Sequence, residues 1–366
     1  MKKLKVIQLV PELNSGGVER GTLEVGRYLS ENGHQSIIIS NGGRMVEQLI
    51  REGSRHVKFP VHKKNPISLL QVPKLRKFFL REKPDIIHAR SRIPAWLSYL
   101  TLMLINRGER PNFVTTVHGF YSVNAYSKVM TQSDHVICVS NSIREYVLRN
   151  YPQTPQSKLS VIHRGIKSRD YHIGYKPKRE WLDKWKEDFP KTTNKRILVL
   201  PGRLTRLKGQ EEFLKIINIL GDEYCGLIIG HVDKKKNGYF NELHALANKM
   251  GILKRILFLG HREDLKDIFA ISNCVFSLST KPESFGRTVL EALSIGVPVI
   301  GYGMGGVGEI LSELFPEGQV ACGDILHAVE LVKSLEKHPV KPKPNKTFTL
   351  EDMLAKIEDV YARLSC

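Results

Sequence analysis

Short runs of β-branched and aliphatic residues recur along this chain of 366 residues, and each is followed by a longer amphipathic stretch. The runs fall at 4–10, 36–40, 85–88, 113–117, 135–139 and 159–162, with helical periodicity at 18–30, 69–81 and 142–150 between them. A strand buried on both faces reads as a continuous apolar run, and strand–helix alternation builds a parallel sheet covered on either side. The rhythm stops over 168–194, a stretch bearing Lys, Trp and Pro with no strand pattern. It resumes with runs at 196–200, 227–230, 256–259, 274–279 and 298–301, and helices at 211–220, 239–250, 265–271, 287–294 and 324–335. The expected fold is α/β, with two Rossmann-like doubly wound domains facing across a cleft. The first domain is expected over 1–168, a linker or hinge over 169–195 and the second domain over 196–349. A Lys/Pro linker at 339–344 precedes a last amphipathic helix, 350–364, and the lysine run at 234–236 reads as a solvated loop.

Charge separates the two halves. The chain holds 56 Lys and Arg against 37 Asp and Glu, a net +19. Residues 1–170 carry 27 basic and 12 acidic side chains, a net +15, which leaves +4 for the other 196 residues. A basic first half suits an anionic partner: nucleic acid, a phosphorylated substrate or an anionic membrane surface. A basic face kept for solubility is the alternative. A composition 41% hydrophobic and 25% charged excludes a disordered or fibrous chain. No apolar run reaches the ~20 residues of a membrane helix, and the candidate at 93–105 is broken by Pro94. The Met1-Lys2-Lys3 start resembles an export signal, but its apolar core ends early at Pro11-Glu12. Five widely spaced cysteines without a Cys-x-x-Cys pair argue against a disulfide framework or zinc site and fit a reducing cytoplasm.

In open α/β sheets, ligands sit outside the carboxyl ends of the strands, and three loops there carry chemistry. The first, 11–20, places Gly16 and Gly17 where a helix opens. Backbone N–H groups can approach a ligand there, at the positive end of the helix. The loop is neither a Gly-x-Gly-x-x-Gly turn nor a Walker loop, which disfavours a nicotinamide cofactor; a purely structural turn is the other reading. The second, 201–209, holds Arg203 and Lys208 between Gly202 and Gly209. A guanidinium fork and an ammonium suit a diphosphate, unless they are two surface cations near a turn. The third, 280–300, carries Glu283 and Glu291. Eight helical residues would set them ~12 Å apart and ~80° off one face, about the reach from a nucleotide's ribose to the sugar beyond its diphosphate. Glu283 precedes the helix start, which frees it to point into the cleft, and the amides of 285–287 form a helix N-terminus able to take phosphate. Two solvated glutamates flanking a helix are the alternative.

Taken together, these segments resemble a known family. Glu283 and Glu291, with Ser284-Phe285-Gly286 between them and Gly296-Val297-Pro298-Val299-Ile300 after, look like the Glu-x7-Glu signature of glycosyltransferase family 4. Its members are retaining enzymes of the two-domain GT-B fold, and the chain looks similar to those that build bacterial lipopolysaccharide and cell envelope. Gly16-Gly17-Val18-Glu19-Arg20 resembles the family's N-terminal glycine loop, and Gly202-Arg203-Leu204 with Leu207-Lys208-Gly209 its diphosphate loop. His118-Gly119 resembles the histidine after a strand of the first domain, and Gly305-Gly306 with Glu309 the later glycine turn. The spacing of Tyr239, Leu243, Ala247, Gly251 and Phe258-Leu259-Gly260 is also similar. Two segments depart. His163-Arg164-Gly165-Ile166-Lys167 stands where the family more often has Asn-Gly-Val/Ile-Asp. The stretch 228–232 lacks a common second glycine, and 234–237 enlarges its loop.

The resemblance implies roles for single residues. Arg203 and Lys208 would hold the donor diphosphate and neutralise it as it departs, and Glu291 would accept from the ribose diol. Glu283, with the amides of Phe285 and Gly286 and with Ser284 and Arg287 beside them, would orient the donor sugar. His118 would reach the sugar or the developing charge, and Gly16 and Gly17 would leave room for phosphate or acceptor. The catalytic set is then His118, Glu283, Arg203 and Lys208. The last helix, 350–366, would cross back to the first domain. No cofactor is implied, the UDP- or GDP-sugar donor being a substrate. The chain has no Asp-x-Asp, so no metal is expected. The implied partners are the donor and an anionic lipid-linked or glycan acceptor, with no nucleic acid, at a cytoplasmic site peripheral to the inner membrane face. In the segment with Lys63, Lys64, Lys74, Arg76, Lys77 and Arg81, a helix over 69–81 is expected to lay Phe78, Phe79 and Leu80 against a bilayer or pocket. Burial of Leu75, Phe79 and Leu80 against the sheet is the alternative. A basic α/β nucleic-acid-binding protein and a sugar-nucleotide epimerase stay open as other functions. A glycosidase is disfavoured, because Glu283 and Glu291 on one loop–helix segment do not face each other across a sugar.

Overall fold

The computed structural model describes residues 2–14, 16–231 and 238–365, so the lysine run at 234–236 lies outside the described residues. The chain forms two compact units, Met1–Gly165 with Leu350–Cys366, and Ile166–Thr349. The first is built on seven parallel strands: β1 Lys5–Leu9, β2 Gln35–Ser40, β3 Arg55–Lys58, β4 Ile86–Ala89, β5 Asn112–Val117, β6 His135–Cys138 and β7 Leu159–Val161, in the order β3-β2-β1-β4-β5-β6-β7. The second has six: β8 Arg196–Pro201, β9 Tyr224–Ile229, β10 Ile256–Gly260, β11 Cys274–Ser277, β12 Val299–Tyr302 and β13 Gln319–Val320, in the order β10-β9-β8-β11-β12-β13. The central strands are the apolar runs of the sequence. Val6, Ile7 and Leu9 of β1, and Leu198 and Val199 of β8, are fully covered by helices on both faces.

The elements that periodicity misses have physical reasons. β3 is an edge strand whose Arg-His-Val-Lys sequence keeps solvent on one side, and β13 is a two-residue edge. The helix Arg92–Met103 buries Pro94, Ala95, Leu97, Ser98, Thr101 and Leu102, so its apolar residues run round much of the axis. Pro94 falls in its first turn, where a missing N–H costs nothing. The glycines at 305 and 306 open the helix Gly305–Leu314 rather than a free turn.

Two expectations change. The segment 169–195 belongs to the second unit rather than standing between the two. It carries the helix Arg179–Asp188, in which Trp185 is buried, stacks on Trp181 at 5.2 Å and meets Phe189 at 4.5 Å. Trp181 Nε1 donates to Asp264 at 2.8 Å, tying the segment to the body of that unit. In the helix Gln71–Glu82, Val72, Leu75, Phe78 and Phe79 face the core, so Phe78 and Phe79 offer nothing to a bilayer. Phe79 is 1% exposed, and Arg81 and Arg55 lie over the Phe78 ring. The last helix, Leu350–Leu364, does return to the first unit. It buries Leu350, Met353, Leu354, Ile357, Val360 and Tyr361 among Val6, Val25, Leu29, Ile86 and Val114.

Candidate active site

In the second unit the strand order reverses between β8 and β11, the place where an open α/β sheet leaves a crevice for ligand. β8 runs into the Arg203–Lys208 loop and β11 into the Glu283 loop, so the topology brings the two together. Gly209 makes the contact close: its φ is 74°, and a Cβ there would lie 2.2 Å from the Leu278 carbonyl oxygen. Thr280 N then donates to Leu207 O at 2.9 Å. Across this seam Lys208 Nζ donates to Glu283 Oε1 at 2.7 Å, and Ser279 Oγ donates to the same oxygen. Lys208 and Glu283 keep 27% and 26% of their side-chain surface, enough to meet a ligand. Arg203 is exposed, with its carbonyl held by Gln210 Nε2 at 3.1 Å and no acidic partner among the described residues.

Glu283 is also fixed through its backbone, which bridges to Gly305 and accepts from Gly306 N at 2.8 Å. Ser284 is half-buried, and Phe285 is buried with its ring 6.1 Å from that of Phe348, so Phe285 presents its amide rather than its ring. Gly286 precedes the helix Arg287–Ser294, whose first amides point out of its N-terminus. Arg287 Nε donates to Glu291 Oε1 at 3.0 Å, and Glu291 is 6% exposed. Glu283 therefore belongs with Lys208 and Ser279, while Glu291 belongs with Arg287.

In the first unit the order reverses between β1 and β4. Gly16, at φ 141°, precedes the helix Gly17–Glu31, and above Gly17 a Cβ would meet no heavy atom within 4 Å. The space above Gly17 is open, while the Glu19 carboxylate folds back toward Gly16, where a Cβ would lie 2.5 Å from its Oε2. His118 follows β5, and its backbone N–H donates to the Tyr121 hydroxyl at 3.2 Å. Arg164 Nη2 lies 3.0 Å from His118 Nδ1. A guanidinium can only donate, so Nδ1 accepts and the ring hydrogen sits on Nε2. His118 Nε2 is buried with no hydrogen-bond partner among the described residues. Burial, then the Arg164 and Arg90 cations, push the His118 pKa well below the ordinary value. His118 is thus a neutral N–H donor. Gly21 supplies the room for this arrangement, since a Cβ there would sit 1.9 Å from Arg164 Nη1. On neighbouring β4, His88 is buried between the Tyr361 hydroxyl at 2.6 Å and Thr116 Oγ1 at 2.7 Å.

Residues 15–169 match the model of Glycosyltransferase Family 4, and residues 182–347 match that of Glycosyl transferases group 1. The chain is a family 4 glycosyltransferase. It is similar to N-acetyl-alpha-D-glucosaminyl L-malate synthase of Bacillus anthracis, 27% identical over 98% of this chain and 97% of the relative. It is also similar to the GPI3 subunit of Saccharomyces cerevisiae phosphatidylinositol N-acetylglucosaminyltransferase, 24% identical over 96% of this chain and 80% of that one. The Anabaena HepE structure with UDP and glucose superposes with a TM-score of 0.84 at 17% identity, over 98% of this chain and all of that one, a likeness of fold.

Within this glycosyltransferase, Arg203, Lys208, Glu283, Ser284, Phe285, Gly286, Arg287 and Glu291 lie on two adjoining segments of the second unit, and Gly16, Gly17 and His118 on the first. Ser279 and Arg164 are contacts that sequence reasoning leaves unassigned. Ser279 comes just after β11, four residues ahead of Glu283, a signal that the sequence does contain. Arg164 stands out as a departure from the family pattern, but its contact with His118 spans 46 positions and no local pattern records it.

Proposed function

We propose that the enzyme moves a sugar from a UDP- or GDP-sugar to an anionic lipid-linked or glycan acceptor, with retention at the anomeric carbon. The observation that carries the reading is the Lys208–Glu283–Ser279 network at the β8/β11 switch point. As the anomeric C–O bond breaks, negative charge grows on the departing diphosphate. Arg203, Lys208 and the amides ahead of Arg287 are fixed positive groups that stabilise this charge in place, with no metal in the scheme. Lys208 sits ready beside one carboxylate, and that carboxylate, held by Ser279 and its backbone, accepts from hydroxyls of the donor sugar. Glu291, steadied by Arg287, accepts from the ribose diol. His118 offers its Nε2–H to the sugar or to the developing charge, and Gly16 and Gly17 leave phosphate or acceptor room at a helix N-terminus.

Support for the donor comes from HepE, whose structure contains UDP and glucose. Support for an anionic acceptor comes from the basic first half and from two relatives, one named for malate and one for phosphatidylinositol. Both of those are anions. No helix among the described residues is long and apolar enough to cross a membrane. In this reading the enzyme works in the cytoplasm, peripheral to the inner membrane face, and nucleic acid is not its partner. The test is a thermal-shift screen against UDP, GDP, ADP and CMP, followed by turnover with sugar donors of the stabilising base. Proton NMR of the product should show the donor's anomeric configuration; an inverted product contradicts the retaining mechanism.

A further inference from the structure

The basic segment of the first unit ends up with a different apolar tip from the one its sequence suggests. Phe78 and Phe79 are buried, whereas Ile67, Leu69 and Leu70 are 62%, 49% and 65% exposed on the single-turn helix Pro66–Leu70. Its place in the fold is set by topology. The turn follows β3 and precedes the Gln71–Glu82 helix, which runs back to the start of β4. In a parallel sheet that puts it on the carboxyl rim, the rim that also carries Gly16–Gly17 and His118.

The stretch of chain that carries the three aliphatic side chains has charges of one sign. From Gly53 to Arg81 the chain carries eight Lys and Arg and no Asp or Glu. Arg55 and Arg81 are taken up by Glu82. Lys63, Lys64, Lys74 and Lys77 are exposed and meet no carboxylate among the described residues. Exposed aliphatic side chains within unpaired lysines match an anionic bilayer: the apolar tip enters the headgroup–acyl boundary while the ammonium groups meet lipid phosphate. A soluble polyanion would satisfy the lysines and leave Ile67, Leu69 and Leu70 in water. A second copy of this chain would bring lysines against lysines.

We propose that the Pro66–Leu70 turn and its flanking lysines dock the first unit on an anionic bilayer, with the acceptor-side rim toward the lipid. This rests on the reading of a lipid-linked acceptor. A lipid headgroup standing in the membrane is then presented at the rim that holds Gly17 and His118, without leaving the bilayer.

The experiment is sedimentation with vesicles of phosphatidylcholine alone, or with one quarter phosphatidylglycerol, at low and high salt. Each sample is also titrated with the nucleoside diphosphate that stabilises the protein, so that failure of docking is separate from failure of the donor reading. The intact chain should sediment with anionic vesicles at low salt, lose at least tenfold affinity at 0.5 M salt, where the Debye length falls to about 4 Å, and ignore neutral vesicles. Ile67→Ser with Leu69→Ser and Leu70→Ser should lose at least tenfold vesicle affinity while keeping its melting temperature and nucleotide binding. Lys63→Glu with Lys64→Glu should lose the low-salt binding. Vesicle affinity unchanged in the serine variant overturns the proposal, as does an intact chain that ignores anionic vesicles. A dimer of the intact chain that the serine variant dissolves also overturns it.

Discussion

Lys208 and Glu283 share one contact at 2.7 Å, yet removing each should do something different. In the proposed scheme Lys208→Met takes away a cation beside the leaving diphosphate, and it should lower kcat/KM about ten- to a hundredfold, the ~1.5–3 kcal/mol of one charge-assisted contact. Arg203→Met should do the same without loss of stability, because the side chain is exposed. Glu283→Gln keeps the shape and removes the charge, so the parent nucleotide should bind as before while the sugar donor binds more weakly. Calorimetry with both ligands separates the two cases, and equal losses for both ligands would refute the division of roles. His88 and His118 give a pH signature in stability. Burial and nearby arginines hold both well below their ordinary value in the folded state, whereas the unfolded chain protonates at its ordinary value. Stability is thus complete above about pH 6.5 and falls as pH drops below it, by up to about 1.4 kcal/mol per pH unit for each histidine. Thermal melts at pH 7.5 and 5.5 should show a smaller acid-induced drop for His88→Gln than for the unchanged chain; identical drops would show that His88 takes up a proton as readily in the fold as in the unfolded chain.

The helix Leu350–Leu364 is the element that most depends on distant chain, since its core partners lie in β1, β4, β5 and the Gly17–Glu31 helix. Ile357→Ala leaves a cavity between that helix and the sheet and should cost about 2–5 kcal/mol in urea denaturation. A loss under about 0.5 kcal/mol would mean the helix packs loosely. This helix was legible in the sequence because its apolar stripe keeps one period over all its turns. The central strands were legible because burial on both faces leaves continuous apolar runs. β3 was not, because an edge strand needs no such run, and Gly305–Leu314 was hidden by glycines that serve close backbone approach to Glu283 and Phe285. In the helix Gln71–Glu82, side-chain type alone could not say which way Phe78 faced; packing on Phe59 at 5.8 Å decides it. The cations and carboxylates of the candidate site could be named from their loops. The Arg164–His118 contact arises only when segments 46 positions apart become neighbours, whereas Ser279 meets Glu283 four residues on, within one loop.

For the whole molecule, the proposed scheme divides the work: the basic first half of the chain suits an anionic acceptor, and Arg203 and Lys208 lie at the switch point of the second unit. Because those cations take the place of a metal in the proposed scheme, turnover should survive excess EDTA; loss of activity restored by magnesium or manganese would contradict it. In the proposed scheme the β8 and β11 loops bind the donor diphosphate through Arg203 and Lys208. Isothermal titration with UDP and GDP, in EDTA, on the unchanged chain and on Lys208→Met tests it most directly. One of the two nucleotides should bind the unchanged chain and bind the variant at least tenfold more weakly. Equal affinity for both proteins, or binding only after a divalent metal is added, would contradict it.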